Sequence, residues 1–445
     1  MRYPRPCSVL VLCLSFAAAS HAAEPVPFES ARAKAWFDEA HRQCAADGGK
    51  LWGKSLCGPA MFVDPATRRV IANQADAQGL LKAEQGVFVG RLPDNVSFAN
   101  TALDWAGVRW SQLVWPMPED AGQRRVVMAH EAFHRIQAEV GLAPAPDAPV
   151  DALDTLRGRY LVQLEWRALA KAVAAADDRE RRRRVDDALL FRAARYREFP
   201  EAAAAERALE RNEGVAEYTG IAVGAVSPEE RKALTEADLT SHVSAPSYIR
   251  SFEYATGPAY GWLLDRYAPS WRQRIREQPD ATLSDLLAAA LRAKPGDAME
   301  AGVERRAADY DGATLLAAEK AREQRRQQEI AHYRAQLVDG ARLVLPLRKP
   351  QIMFNPSTLV SLGDVGTVYP TMKVIAEWGS IEVTEGALLA PDWKNLYVAV
   401  PGKDAARTGT VAGPGWTLKL ADGWRLKEGE RQGDLSLSHE NPGAP

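Results

Sequence analysis

Short apolar segments, separated by turn-forming residues, occupy the chain from about residue 57 to 116. They are rich in Val, Ile, Phe and Trp, and Gly, Pro, Asp or Asn bound each of them, which is typical of β-strands. The segments are GPAMFVD, RRVIANQ, GVFVGRL and GVRWSQLVWP. The sequence therefore predicts a strand-rich region here, preceded by a short helix over residues 28–45.

From about residue 119 to 337 the apolar positions recur every three or four residues instead, which predicts helices. Within residues 151–173 one helix face carries Leu153, Leu156, Tyr160, Leu161, Leu164 and Ala168. After Gly340 short apolar runs such as ARLVLPL and MKVIAEW return, again between turn residues. This pattern predicts a β-sandwich-like domain over residues 339–445 and an α+β fold for the chain, with residues 24–338 as the first domain.

The first residues have the pattern of an export signal. Arg2 and Arg5 precede an apolar run over residues 9–19, and small residues follow, so cleavage is expected after Ala22 or Ala23. Residues 1–23 are therefore interpreted as a signal peptide, and the mature protein as periplasmic or secreted. No other segment is long and apolar enough to predict a membrane span.

The mature chain keeps two cysteines, Cys44 and Cys57. In an oxidising compartment they are expected to form a disulfide that closes a short loop. Metal binding by this pair is the alternative, although the spacing is not that of a zinc knuckle. The 56 basic and 58 acidic residues nearly balance, so no nucleic-acid partner is predicted.

The segment VVMAHEAFHRIQ, residues 126–137, carries the clearest chemical pattern. His130 and His134 lie four residues apart, so on a helix both project from one face and can hold one ion. Glu131 lies about 100° further round the helix and can reach a water on that ion without binding the ion itself. Zinc lowers the pKa of such a water towards about 7, and a glutamate can then take its proton. The alternative is an ordinary amphipathic helix.

A second segment, residues 206–220, supplies carboxylates. Its glutamates recur at steps of four, three and four, which places them on one helical stripe: Glu206, Glu210, Glu213 and Glu217. Four like charges on one stripe repel, so they are either solvated or some of them face a cation. One of the last two can bind a metal while the other accepts the ring N–H of a histidine ligand.

HEAFH followed by NEGVAEY resembles the gluzincin metallopeptidases. The resemblance implies one Zn²⁺ per chain, with Glu213 as the third ligand beside the two histidines and Glu217 as the partner of a histidine ring. FEYATGPAYG is similar to the segment in which aminopeptidase-type gluzincins carry a tyrosine that stabilises the oxyanion. Tyr254 is the matching position here; the other candidates for this role are Tyr248, Tyr260 and His242.

The chain departs from the gluzincin pattern in three ways. His134 and Glu213 are 79 positions apart (213 minus 134), which predicts an inserted helical hairpin over about residues 151–200. Thr256 stands where aminopeptidase-type enzymes have lysine, and no Gly-x-Met-Glu-Asn segment precedes HEAFH. The resemblance covers three short motifs within about residues 105–275 and carries no aminopeptidase specificity.

The strand before HEAFH, residues 107–118, has two interpretations. Gluzincins present an edge strand in this place that pairs with extended peptide, and such pairing gives affinity with little sequence selectivity. Alternatively, Trp110 and Trp115 anchor a strand in the interior of the sheet.

Together these patterns predict an exported zinc hydrolase, a metallopeptidase of gluzincin type that acts on a peptide or protein substrate. Two alternatives remain open. The chain can be an inactive envelope binding or scaffold protein that keeps a zincin fold, or a metal-free helical protein. The sequence leaves open the cleavage specificity, endo- or exopeptidase action, proteolytic activation, the oligomeric state and the role of the C-terminal domain.

Overall fold

The computed structural model describes residues 27–144, 151–249, 251–293, 300–355 and 358–440. The predicted signal peptide, residues 1–23, lies outside the described residues. Among the helices in these ranges, none is both long and apolar enough to cross a membrane. The predicted α+β class is confirmed, with an N-terminal sheet, a helical middle and a strand-rich C-terminal region.

The chain divides into two compact units after Ala317. The helices, of which the last spans this boundary, are α1 (Ser30–Asp47), α2 (Ala121–Ile136), α3 (Leu156–Ala174), α4 (Asp178–Glu198), α5 (Ala202–Leu209), α6 (Val215–Gly224), α7 (Pro228–Ser241), α8 (Phe252–Tyr267), α9 (Trp271–Glu277), α10 (Leu283–Leu291), α11 (Glu300–Ala307) and α12 (Gly312–Arg334). The predicted helix over residues 28–45 corresponds to α1 and is confirmed. The predicted domain change at residues 338 and 339 falls between the unit boundary and the first strand of the second unit, which begins at Arg342.

The first unit contains a six-stranded sheet with the order β3-β4-β2-β1-β6-β5. Its strands are β1 (Ala60–Val63), β2 (Arg69–Ala72), β3 (Lys82–Glu84), β4 (Val87–Arg91), β5 (Thr101–Trp105) and β6 (Val108–Val114). β6 pairs with β1 in parallel and with β5 antiparallel. The strand before HEAFH is therefore interior, with Trp110 fully buried, and the edge-strand interpretation of residues 107–118 is wrong. The neighbouring β5, which the apolar pattern did not predict, forms the edge.

The predicted hairpin between the two chemical motifs is confirmed, since α3 and α4 pack against each other along their lengths. Glu165 of α3 lies between two arginines of α4: its carboxylate oxygens are each 2.7 Å from a guanidinium nitrogen, one of Arg192 and one of Arg195. The same arginines also pair with Glu210 at 2.6 Å and with Glu206 at 2.8 Å. Two members of the predicted glutamate stripe thus face cations of the protein itself.

The predicted disulfide between Cys44 and Cys57 is confirmed. His41 lies close to both sulfurs, but sulfurs joined to each other are not the thiolates that bind metals. Inside the loop, the indole N–H of Trp52 donates to the Thr219 hydroxyl over 2.9 Å, and the Trp52 ring packs against Phe133. The disulfide loop is therefore attached to both α2 and α6.

The second unit has two antiparallel-rich sheets, of seven and five strands among the residues described. The strands are β7 (Arg342–Pro346), β8 (Gln351–Phe354), β9 (Val360–Ser361), β10 (Thr367–Tyr369), β11 (Met372–Ala376), β12 (Gly379–Val383), β13 (Ala387–Leu389), β14 (Asn395–Ala399), β15 (Thr410–Gly413), β16 (Trp416–Leu420), β17 (Trp424–Glu428) and β18 (Leu435–His439). Residues of both sheets, such as Leu396 and Val374, share one apolar core. This arrangement is a β-sandwich.

The Glu165→Gln variant tests how strongly the buried ion pairs stabilise the first unit. Removing the charge leaves two buried guanidinium groups with one carboxylate fewer, so we expect the free energy of unfolding to fall by about 3 kcal/mol or more. Glu198→Gln breaks a more exposed pair with Arg157 and is expected to cost less than about 1 kcal/mol. Urea unfolding measures both variants.

The loss in the free energy of unfolding that Glu165→Gln causes should depend on pH. Burial alone would raise the pKa of Glu165. The charges of Arg192 and Arg195 together have the larger effect and lower the pKa below its usual value of 4.5. A carboxyl group whose pKa is lower in the folded than in the unfolded protein stabilises the fold at pH values above its unfolded-state pKa. This contribution is lost as the pH falls through the folded-state pKa. The difference between wild type and variant should be constant near about pH 7 and shrink well below pH 4.5. A difference that is unchanged or larger in acid would contradict the assignment.

Candidate metal centre

Helix α2 carries the two histidines of HEAFH. The Asp120 side chain accepts a hydrogen bond from the Gln123 backbone N–H over 2.8 Å, which caps the start of the helix. One turn apart, His130 and His134 bring their Nε2 atoms to 2.9 Å. His130 is only 4% exposed, so its ring direction is fixed by packing.

The predicted third ligand comes from a helix that is interrupted. α5 and α6 are joined by a π-helical turn over Glu210–Gly214, in which the Val215 backbone N–H donates to the carbonyl oxygen of Glu210. Glu213 lies inside this turn. Its Oε2 is 3.4 Å from the Nε2 of His130 and 3.4 Å from the Nε2 of His134. The structure thus brings together the three residues that the resemblance implies as ligands.

The spacing of these three atoms can be compared with that of a metal site. In a tetrahedral zinc site with bonds of about 2.0–2.1 Å, neighbouring ligand atoms lie about 3.3 Å apart. The three observed separations, 2.9, 3.4 and 3.4 Å, lie close to that value. Two imidazoles and one carboxylate are also a donor set that zinc prefers. The residues present therefore fit a zinc ion.

Each histidine is oriented by a hydrogen bond from its other ring nitrogen. Nδ1 of His130 lies 2.6 Å from Oε2 of Glu217, and Nδ1 of His134 lies 2.8 Å from Oε1 of Gln137. Since both acceptors are oxygens, each Nδ1 carries a proton, and the neutral form of each ring therefore has its lone pair on Nε2. Glu217 thus has the position that the resemblance implies.

Gln137 is a site residue that the sequence interpretation missed. It is fully buried, and its Nε2 donates to the carbonyl oxygens of Arg211 and Asn212 over 3.3 and 3.4 Å. One side chain therefore links a histidine on α2 to the turn that carries Glu213. The available signal was helical spacing, since Gln137 follows Phe133 by four positions and precedes Val140 by three, and both of these are apolar.

Charge in the site favours a cation. Burial alone would lower the pKa of His130. The hydrogen bonds to Glu213 and Glu217 together have the larger effect, so the pKa of His130 lies well above its usual value. Burial alone would raise the pKa of Glu213. The interactions with His134 and His130 together have the larger effect, so the pKa of Glu213 lies well below its usual value. The carboxylates that attract a proton to these rings would also attract a metal ion.

Glu131 lies next to the ligands without contacting them through a hydrogen bond. It is 5% exposed, and its Oε2 has no hydrogen-bond partner among the described residues. Burial raises its pKa above the usual value, and His130 and His134 only partly oppose this shift. A buried carboxylate oxygen without a donor is costly unless something else binds it, and a water held at the metal position would provide that donor.

Tyr254 reaches the same centre from α8. Its hydroxyl donates to Oε2 of Glu213 over 2.8 Å, and its ring stacks on the ring of His130 with centroids 5.7 Å apart. The ring of His242 lies 6.0 Å from that of Tyr254. The other two candidates are directed elsewhere: Tyr248 donates to the Val243 carbonyl and Tyr260 to Glu165.

Close approach of helices without side chains between them lets these groups meet. At the crossing of α8 with the π-helical turn, a Cβ on Gly257 would lie 2.2–2.5 Å from backbone atoms of Gly214. At the crossing of α6 with α2, a Cβ on Gly220 would lie 2.7 Å from the carbonyl oxygen of Val126. Only glycine fits at either crossing.

A cavity of about 60 Å³ lies beside the disulfide, between α1 and α2. Its lining includes Cys44, Cys57, Ser111 and Met128, and none of the three candidate ligands. The cavity is therefore separate from the candidate metal centre.

Comparison of the chain with models of known protein families, with curated protein sequences and with solved structures gives no match. The candidate centre is thus defined by its own geometry.

Gly257→Ala tests the helix crossing. Alanine favours a helix over glycine by at most about 1 kcal/mol, but the overlap with Gly214 forces backbone to move, so we expect a net loss of about 3 kcal/mol in the free energy of unfolding. Gly122→Ala is the control, because its Cβ would meet side-chain atoms and no backbone, with oxygens of Asp120 and Glu230 at 3.2 Å and Nη2 of Arg125 at 3.8 Å, and it should be neutral or slightly stabilising. Equal stability of the two variants would show that the crossing tolerates a side chain.

Proposed function

We propose that the protein is an exported zinc-dependent hydrolase, a metallopeptidase of gluzincin type. The observation that carries the proposal is the convergence of His130, His134 and Glu213, from helices far apart in sequence, at separations that match a zinc site. Zinc held there would act as a Lewis acid and lower the pKa of a bound water to about 7.

The surrounding side chains then have separate tasks. Glu131, with its unpartnered oxygen, accepts the proton of the attacking water and returns it to the leaving amine. Glu217 and Gln137 hold the two imidazoles in the tautomer that leaves Nε2 free. The Tyr254 phenol, one hydrogen bond from the ligand carboxylate, donates to the oxyanion that develops on the attacked carbonyl.

The sheet edge supports a peptide as the substrate. β5 pairs only with β6 in the part of the chain that the structure describes, so its other edge has backbone groups available for an extended chain. The β5–β6 hairpin lies against α2, where the Arg109 guanidinium donates to the carbonyl oxygen of Arg135. A peptide paired with β5 would run beside the helix that carries the two histidines.

Export is supported by the Cys44–Cys57 disulfide, since such bonds persist in oxidising compartments. The signal peptide over residues 1–23, on which a periplasmic or secreted location also depends, is part of the same proposal.

Two isosteric variants test the proposed chemistry. Glu213→Gln removes the anionic ligand, so we expect zinc affinity to fall at least about tenfold. Glu131→Gln keeps all three ligands, so it should bind one zinc per chain and yet lose hydrolysis of an unfolded protein substrate. Bound zinc is measured by elemental analysis and competition with a chelating dye.

Wild-type zinc affinity in Glu213→Gln would remove the proposed third ligand. Zinc bound by a wild type that cleaves no substrate would instead favour a binding or scaffold protein.

Tyr254→Phe tests the proposed oxyanion donor. The lost hydrogen bond to Glu213 should weaken zinc binding by about tenfold at most, whereas kcat at saturating zinc should fall about 100-fold or more because the developing charge loses its donor. Tyr248→Phe removes a hydroxyl that donates to the Val243 carbonyl, and should keep wild-type kcat. A normal kcat in Tyr254→Phe would exclude the assignment.

A further inference from the structure

The carboxylate of Glu210 lies in the same π-helical turn as Glu213 and faces the inserted hairpin. We propose that Glu210 is a positioning residue of the metal centre, through which the α3–α4 hairpin holds Glu213 towards the histidines. This inference rests on the proposed zinc site and assigns a role to the long insertion between the two motifs.

The π-helical turn changes the direction of the glutamate stripe. On an uninterrupted α-helix Glu210, Glu213 and Glu217 would share one face. The wider turn over Glu210–Gly214 contains an extra residue, so side chains before and after it project differently. Glu210 points to Arg192 of α4, whereas Glu213 and Glu217 point to the histidines of α2.

Both oxygens of Glu210 are held. Oε2 lies 2.6 Å from Nη1 of Arg192, and Oε1 accepts a hydrogen bond from the Leu283 backbone N–H over 2.7 Å. Arg192 is held in turn by Glu165 of α3 at 2.7 Å. Glu210 is 1% exposed and Glu165 is 0% exposed, so water does not replace these contacts.

Two further contacts hold the same turn from other sides. Arg211 donates to the carbonyl oxygen of Ile275 over 2.8 Å, and Gln137 donates to the carbonyls of Arg211 and Asn212. π-helical turns are rare in proteins, and they are frequent at functional sites. External contacts of this kind keep the turn from relaxing to regular α-helix, which would rotate the Glu213 carboxylate away from the two Nε2 atoms.

The ion pairs of the hairpin offer a matched control. Glu206 pairs with Arg195 at 2.8 Å and is equally buried, but it belongs to α5, before the π-helical turn. In Glu206→Gln and in Glu210→Gln alike, the arginine concerned keeps its contact with Glu165. The two variants therefore remove similar buried charges at different distances from the third ligand.

The experiment compares zinc dissociation constants of wild type, Glu210→Gln and Glu206→Gln, at a temperature where circular dichroism finds all three folded. We expect zinc affinity to fall about tenfold in Glu210→Gln and to stay within about twofold of wild type in Glu206→Gln. The visible absorption bands of bound Co²⁺, which report ligand geometry, should change only in Glu210→Gln. Arg192→Lys and Arg195→Lys form a second, milder pair with the same expected contrast, should a glutamine variant not fold.

Equal zinc affinities in Glu210→Gln and Glu206→Gln, whether both normal or both weakened, would overturn the positioning role and leave the zinc site itself standing. A wild-type protein that binds no zinc would overturn the proposed function and this inference together.

Discussion

The contact between α2 and the helix that carries Glu213 is the constraint on which the candidate centre depends. It is possible because Gly220 lets α6 approach the α2 backbone at Val126, and Gly214 lets α8 approach the π-helical turn at Gly257. A Cβ on Gly257 or Gly220 would lie within 2.2–2.7 Å of backbone atoms of the facing element, so the helices would have to move apart. A metal site tolerates no such displacement, since metal–ligand distances vary by only about 0.2 Å.

Electrostatics decide what occupies the space between these helices. Each glutamate of the stripe has a partner of suitable charge: Glu206 and Glu210 face arginines, and Glu213 and Glu217 face histidines. The repulsion that four carboxylates on one helix face would produce is therefore balanced twice, by two guanidinium groups in the hairpin and by the imidazole pair of α2. In the second case the raised pKa of His130 lets a proton supply the positive charge, and the proposed zinc ion, bound to neutral imidazoles, would supply it instead.

Much of this arrangement was predictable, because it follows from local spacing. The step of four between His130 and His134 and the hairpin over residues 151–200 follow from helical periodicity and chain length. The positions of Glu213, Glu217 and Tyr254 followed from short motifs whose order along the chain matched the gluzincin pattern. Edge and interior strands were harder: the pairing of β6 on both sides depends on β5, whose residues TALDW carry a weak strand signal.

Other features depend on tertiary contacts that no local pattern specifies. A π-helical turn has almost the same sequence preferences as an α-helix, so the stripe from Glu206 to Glu217 predicts a continuous helix. Gln137 acquires its role only because the backbone of Arg211 and Asn212 packs against it. The partners of Glu165 likewise come from a different helix, and periodicity assigns a face but not the group that lies opposite.

Anomalous X-ray diffraction at the zinc absorption edge, from crystals grown with zinc, tests the central claim most directly. One strong anomalous peak per chain should lie about 2.0–2.2 Å from Nε2 of His130, Nε2 of His134 and a carboxylate oxygen of Glu213. A zinc-replete crystal with no peak between these atoms, or with its zinc bound by other residues, would contradict the existence of this metal centre.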